Sequence, residues 1–160
     1  MFLLSTGARK NEALSAQWKY IDMDNRVWRI SASNSKSKKM RSLPLSGAAM
    51  AVLTELDDES NKSDFVFVNK RTGTKYVTFQ KQWERIRKKA GLEHCRLHDL
   101  RHTFASYLAN SGRTLLEIQT LLGHASPKVT LRYSHLSQST LMDASNTASD
   151  RITSAMEKSA

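Results

Sequence analysis

Apolar residues recur along this chain at spacings that change from one stretch to the next, and each change marks an element. Residues 1–4 (MFLL) read as the end of an apolar helix, broken at Thr6-Gly7. Over residues 10–18, Ala13, Leu14 and Trp18 fall on one face, which predicts a short helix. Residues 27–33 alternate apolar and polar, as a half-buried strand does. Residues 40–45 predict a second strand, with Leu43 and Leu45 on one side. The polar, basic stretch 34–39 between them suits a hairpin tip. Ser46 can cap a helix that runs to Leu56, and residues 57–64 form a polar loop. Residues 65–69 and 75–77 predict a second hairpin around Thr72-Gly73.

The second half is helical in pattern. Thr78 caps a helix that ends at Gly91, with Phe79, Trp83, Ile86 and Ala90 on its inner stripe. That leaves Lys81, Arg85, Lys88 and Lys89 for solvent or a phosphate backbone. A further helix starts near His98 and stops at Gly112. Thr114 and Glu117 make a capping-box pattern for the next, which ends at Gly123. Ser126-Pro127 opens a third in N-cap, N1 order. In the tail, residues 137–160, a thin stripe of Leu141, Ala144, Ala148, Ile152 and Ala155 asks for a partner surface, in its own chain or in a neighbour. The fold class is therefore mainly α with a small antiparallel β-sheet (α+β).

Composition narrows the function. With 160 residues, 39% hydrophobic, 6 Gly and 2 Pro, the chain is long and apolar enough for one globular domain. Its formal net charge of +10 points to a polyanionic partner, with nucleic acid the leading choice. The single cysteine, Cys95, excludes an internal disulfide, makes a zinc site improbable and fits a reducing compartment. No run approaches the ~20 apolar residues of a membrane span, and the start lacks the basic flank of a signal peptide. There is no glycine-rich phosphate loop and no carboxylate cluster of the two-metal kind. Trp18, Trp28 and Trp83 fit core positions better than a base-stacking platform.

The candidate chemistry lies mostly between His98 and Tyr133. His98 and Arg101, three apart on a helix, share a face; the arginine offers a planar fork to phosphate oxygens and the histidine can exchange a proton near neutral pH. His124 follows Gly123 where the chain turns. Tyr133 is the candidate nucleophile, with basic groups close in sequence, Arg132 and His135, and such cations would lower its hydroxyl pKa. Upstream, Arg9 follows the break at Gly7, with Glu12 three residues on and able to orient it. Lys36, Lys38, Lys39 and Arg41 crowd the hairpin tip, and spacing alone does not choose among the lysines. Each feature alone has a plainer reading: a solvated pair, a helix cap, a core tyrosine, a charged turn. Together they supply a nucleophile, cations and neutral donors, an inventory for attacking a phosphodiester.

These segments resemble the catalytic domain of the tyrosine recombinases, the phage integrase family. TGARKNEAL resembles its first arginine box, SKSKKMRSLPL its lysine hairpin, and HDLRHTFAS, LLGHAS and RYSHL its second box, in the family's order over residues 3–136. The resemblance implies Tyr133 as nucleophile and Arg9 and Arg101 as clamps on the scissile phosphate. It implies His98 as proton-transfer partner of the tyrosine and His124 as donor to a non-bridging oxygen. Lys36 holds the family's distance from Arg41 and Pro44, which implies that it protonates the leaving 5′ oxygen. Glu12 and Asp99 stand beside these as supporting residues. Lys38, Lys39, Arg41, Lys81, Arg85, Lys88 and Lys89 are the expected DNA contacts.

The resemblance also implies a site-specific recombinase working through a 3′-phosphotyrosyl link with no cofactor and no metal. Its partners would be double-stranded DNA and, in a tetramer on DNA, other copies of the chain, with accessory DNA-bending proteins as further candidates. Residues 1–136 would form the catalytic domain and residues 137–160 a tail helix docking on a neighbour. Family members carry an N-terminal clasp domain, which these 160 residues lack, so a fragment with weak activity alone is expected. The expected setting is a bacterial or phage-encoded protein in the cytoplasm, at the nucleoid. Two other readings compete: a non-catalytic DNA-binding regulator of the same fold, and a strand transferase of the type IB topoisomerase kind.

Overall fold

Alternation places Trp28 and Ile30 inward and Arg29 outward, and these residues build the central strand of a three-stranded antiparallel sheet. The computed structural model describes residues 1–32, 40–57 and 63–157, with backbone alone at 135–144, 153, 155 and 157. The sheet runs β1 (Ile21–Asp22), β2 (Val27–Ile30), β3 (Arg41–Pro44), with Trp28 opposite Leu43. β3 is an edge strand, which is where a proline such as Pro44 costs no ladder bond. Leu43 and Leu45 both face inward, as their alternation predicts.

Three helices pack with this sheet. They are α1 (Phe2–Thr6), α2 (Lys10–Leu14) and α3 (Gly47–Leu56), the last capped by the Ser46 hydroxyl, which accepts from the Ala49 N–H. Phe2, Trp28, Ile30, Leu43, Leu53 and Val66 form the first core. Each such side chain contributes about 1.5–3 kcal/mol when fully buried. α2 is shorter than its apolar spacing predicts. After it the chain extends, so that the Ala16 carbonyl accepts from Val66 N–H at 2.9 Å and Trp18 N–H donates to the Asp64 carbonyl at 3.0 Å; Trp18 itself opens a 3-10 turn to Tyr20. The second hairpin, β4 (Val68–Asn69) and β5 (Thr74–Lys75), turns at Thr72-Gly73 but pairs over fewer residues than expected.

The second half supplies α4 (Gln80–Lys89), α5 (Asp99–Asn110), α6 (Leu115–Leu122), α7 (Pro127–Thr130), a 3-10 stretch (Leu131–Ser137) and α8 (Gln138–Glu157). Thr114 and Glu117 form the reciprocal cap of α6, and Ser126-Pro127 opens α7 as predicted. The inner stripe of α4 is only partly buried. Trp83 is covered, whereas Ile86 is 47% exposed, because α4 leans across an open apolar cleft instead of closing it. Ala105, Ala109, Ile118, Leu122 and Tyr133 form a second core. The two cores meet where Gly7, with φ +61, lies against the ring of Phe104. A Cβ at Gly7 would collide with Phe104 Cδ1, so both conformation and space require glycine there.

Candidate active site

The C-terminus of α6 organises the site. The last carbonyls of a helix have no partner within it and carry the negative end of its dipole. Here three consecutive carbonyls each accept from a different arginine. Arg41 of β3 donates to Leu121 O at 3.0 Å, Arg101 of α5 to Leu122 O at 2.6 Å, and Arg9, at the N-cap of α2, to Gly123 O at 3.1 Å. Arg101 also donates to the Gly7 carbonyl at 2.7 Å, just past α1. Glu12, with 1% of its side chain exposed, pairs with Arg9 at 2.8 Å and Arg41 at 2.9 Å and accepts the Arg9 backbone N–H. Burial alone would raise its carboxyl pKa; Arg41 and the bonds from Arg9 outweigh that and hold it below the usual range. Three guanidiniums against one carboxylate leave an excess of positive charge. Burial, reinforced by Arg9, pushes the Arg101 pKa down to about 10, and an anion close to it would stabilise its charged form.

A cleft of about 420 Å³ opens beside this rack, lined by Arg9, His98, Arg101, His102, His124, Arg132 and Tyr133 among others. His124 Nδ1 lies 2.8 Å from the hydroxyl of Thr130, a residue 1% exposed. With that hydroxyl as donor, Nε2 carries the ring proton as a neutral hydrogen-bond donor. Burial first, then Arg101 and Arg9, bring the His124 pKa down to about 4, so the ring is neutral at pH 7. Tyr133, 5% exposed, packs in the second core, and its hydroxyl meets His102 Nδ1 at 2.6 Å. The expectation that neighbouring cations lower its pKa is corrected here. Burial raises it, and the opposing pull of Arg132 and Arg101 does not cancel that rise. The ring of His98 stands edge-on to that of His102, centroids 4.9 Å apart. Burial first, then His102 and Arg101 for His98 and Arg132 for His102, set both imidazoles below the ordinary value.

Residues 1–140 match the model of the phage integrase family. The chain belongs to that family. It is 34% identical over 152 residues to the integrase of Salmonella phage P22, a match covering 89% of this chain and 39% of that protein. It is 32% identical over 166 residues to tyrosine recombinase XerD of Bifidobacterium longum (strain NCC 2705), covering 94% and 52%. Among solved structures it is similar to the XerH site-specific recombinase in a pre-cleavage complex with its difH substrate. That match has 31% identity and a TM-score of 0.69, over 89% of this chain and 43% of that one. The chain thus spans roughly half or less of the length of these relatives.

Five of the six expected catalytic residues of this integrase-family chain, Arg9, His98, Arg101, His124 and Tyr133, line one cleft. Lys36, with Lys38 and Lys39, lies outside the described residues. Arg41, expected among the DNA contacts, turns inward. Its side chain is 13% exposed and its guanidinium is engaged inside the protein, by the Glu12 carboxylate and the Leu121 carbonyl. Asp99 is paired with Arg96 at 2.8 Å, a bond that brings its pKa down to about 2. It orders the approach to α5 and does not line the cleft. Lys81, Arg85, Lys88 and Lys89 are exposed on α4 as expected. Two residues were not foreseen. His102 sits four residues beyond His98, the spacing that shares a helix face, so its signal was present but ambiguous. Thr130 carries no pattern that marks it out.

Proposed function

We propose that this chain is the catalytic part of a site-specific DNA recombinase that cuts and rejoins strands through a 3′-phosphotyrosyl link. The observation that carries this reading is the convergence of Arg9, Arg101, His98, His124 and Tyr133 on one cleft. Arg9 and Arg101 grip the non-bridging oxygens of a phosphodiester. Neutral His124 and His98 donate to the same phosphate. The Tyr133 oxygen attacks phosphorus in line; the new O–P bond forms as the bond to the 5′ oxygen breaks. Lys36 supplies the proton to that leaving oxygen. Charge gathers on the equatorial oxygens as the transition state forms, and donors already fixed by α6 carbonyls need no rearrangement to meet it. Because the phosphotyrosyl bond conserves the energy of the phosphodiester, a 5′ hydroxyl can reverse the step.

The exposed cations of α4, with Lys38 and Lys39, bind the flanking DNA backbone. The tail helix α8 docks on another copy and links active sites in a tetramer on DNA. Its described outer residues support this: Ile152 is 61% and Met156 69% exposed. Deleting residues 137–160 then abolishes self-association in light scattering; an unchanged mass contradicts the docking role. The family's bacterial and phage relatives support a bacterial or phage origin and a cytoplasmic site of action. No described helix is long and apolar enough to cross a membrane.

The test is a duplex nicked beside the cleavage position, so that the freed fragment diffuses away. The chain forms a protein–DNA adduct that survives denaturing electrophoresis, and Tyr133→Phe binds the same DNA without forming it. An undiminished adduct from the variant refutes the nucleophile. Sequence-specific binding by the unaltered chain, with no adduct, favours a regulator.

A further inference from the structure

The group that touches the phenol oxygen differs from the one the family resemblance implies. We propose that His102, not His98, takes the Tyr133 proton as that oxygen attacks phosphorus. The inference rests on the nucleophile role proposed above for Tyr133.

The geometry is direct. Nδ1 of His102 lies 2.6 Å from the Tyr133 hydroxyl, inside the reach a general base needs, with ring centroids 6.3 Å apart. Both partners are anchored. His102 follows buried Arg101 on α5, and the tyrosine ring packs with Ala105 and Ala109 of the same helix. Nδ1 accepts only if Nε2 carries the ring proton, so the required species is a neutral imidazole. The surroundings favour it. Partial burial, then Arg132 beside the tyrosine, and Arg96 and Arg101 on the α5 side, disfavour the imidazolium; Asp99 alone among the flanking groups opposes them. His98, edge-on to the ring, and His124, across the cleft, both titrate below the ordinary value.

The step balances. The phenolic proton passes to Nδ1, the oxygen lone pair makes the bond to phosphorus, and the electron pair of the broken bond leaves on the 5′ oxygen, protonated by the acid proposed for it. The His102 imidazolium then stands beside the new phosphotyrosine and returns its proton to the tyrosine oxygen on reversal. His98 is left free to donate to the phosphate, in keeping with its place next to Arg101 on the cleft wall.

Adduct formation on the nicked duplex is measured from pH 5 to 9 for the unaltered chain, His102→Ala and His98→Gln. The unaltered chain gains rate through an apparent pKa below 6.5, the ordinary histidine value, and then levels off. His102→Ala loses about 10²-fold or more and that limb of the profile, and added imidazole restores rate in proportion to its free base. His98→Gln keeps the limb. Loss of the limb in His98→Gln, or its retention in His102→Ala with no imidazole rescue, overturns the assignment while the nucleophile stands. No adduct from the unaltered chain at any pH overturns both. Nitrogen NMR of the His102 ring is independent of turnover: Nδ1 shifts when Tyr133 becomes Phe, and an unmoved resonance contradicts the bond.

Discussion

At the scale of single residues, the site is a set of charges and protons fixed by burial. Glu12 is the counter-charge for two arginines, and removing a charge from a buried pair costs about 3–5 kcal/mol, because the partner is left unpaired. Glu12→Gln should therefore lower unfolding free energy by about 3 kcal/mol in urea titration. A smaller loss when Arg41→Met is added tests the coupling, since the orphaned charge is gone. His124 gives a pH signature. Its folded pKa of about 4 lies below the ordinary 6.5, so the folded state binds fewer protons than the unfolded chain between those values. Its contribution is intact above pH 6.5 and is lost as pH falls toward 4. His124→Asn should flatten that part of the stability–pH curve, and an unchanged slope would argue against the neutral ring. The residues that sequence alone could place were those in one helical register, His98 with Arg101. The pairing of Arg41 with Glu12 was not legible in the sequence because that carboxylate lies 29 residues away, beyond any local pattern. His102 and His98 share a helix face, and only the fold of Tyr133 against α5 distinguishes them.

Among elements, glycine geometry separates two kinds of junction. Gly7 is left-handed and pressed on Phe104, whereas Gly47 starts α3 with no atom near its missing Cβ. Gly7→Ala combines about 1–2 kcal/mol of backbone strain with about 1–3 kcal/mol of overpacking. Gly47→Ala should be neutral or stabilise by up to about 1 kcal/mol. Thermal melts of the two variants check this, and equal shifts would contradict the close approach of α1 to α5. Helices that announce themselves with caps were legible: Ser46 for α3, Thr114 with Glu117 for α6, Ser126-Pro127 for α7. Elements decided by distant pairing were not. α2 stops at Leu14 because the following chain bridges to residues 64–66, and β1 is a two-residue strand defined only by its ladder to β2. The stripe on α4 has helical spacing, but spacing cannot say whether a facing surface closes over it.

On the scale of the whole molecule, charge and the cleft belong to one surface function. If the proposed function holds, the net charge of +10 should give DNA binding a steep salt dependence. Lys81→Ala and Lys88→Ala should each weaken binding to all sequences alike and reduce the slope of log affinity against log salt by about 1. Arg41→Ala should leave that slope alone and lower stability instead, since its guanidinium is held by Glu12. Fluorescence anisotropy across a salt series distinguishes the two classes. The central claim is that helix-end carbonyls and one buried carboxylate hold arginines around a phosphate within reach of a single tyrosine. Its most direct test is peptide mapping of the trapped adduct. Trypsin cutting after Arg132 and Arg151 releases the segment that begins at Tyr133, separate from Tyr20, Tyr76 and Tyr107. Nucleotide mass is expected on that segment, at Tyr133. Nucleotide on any other residue, or on none, would contradict the claim.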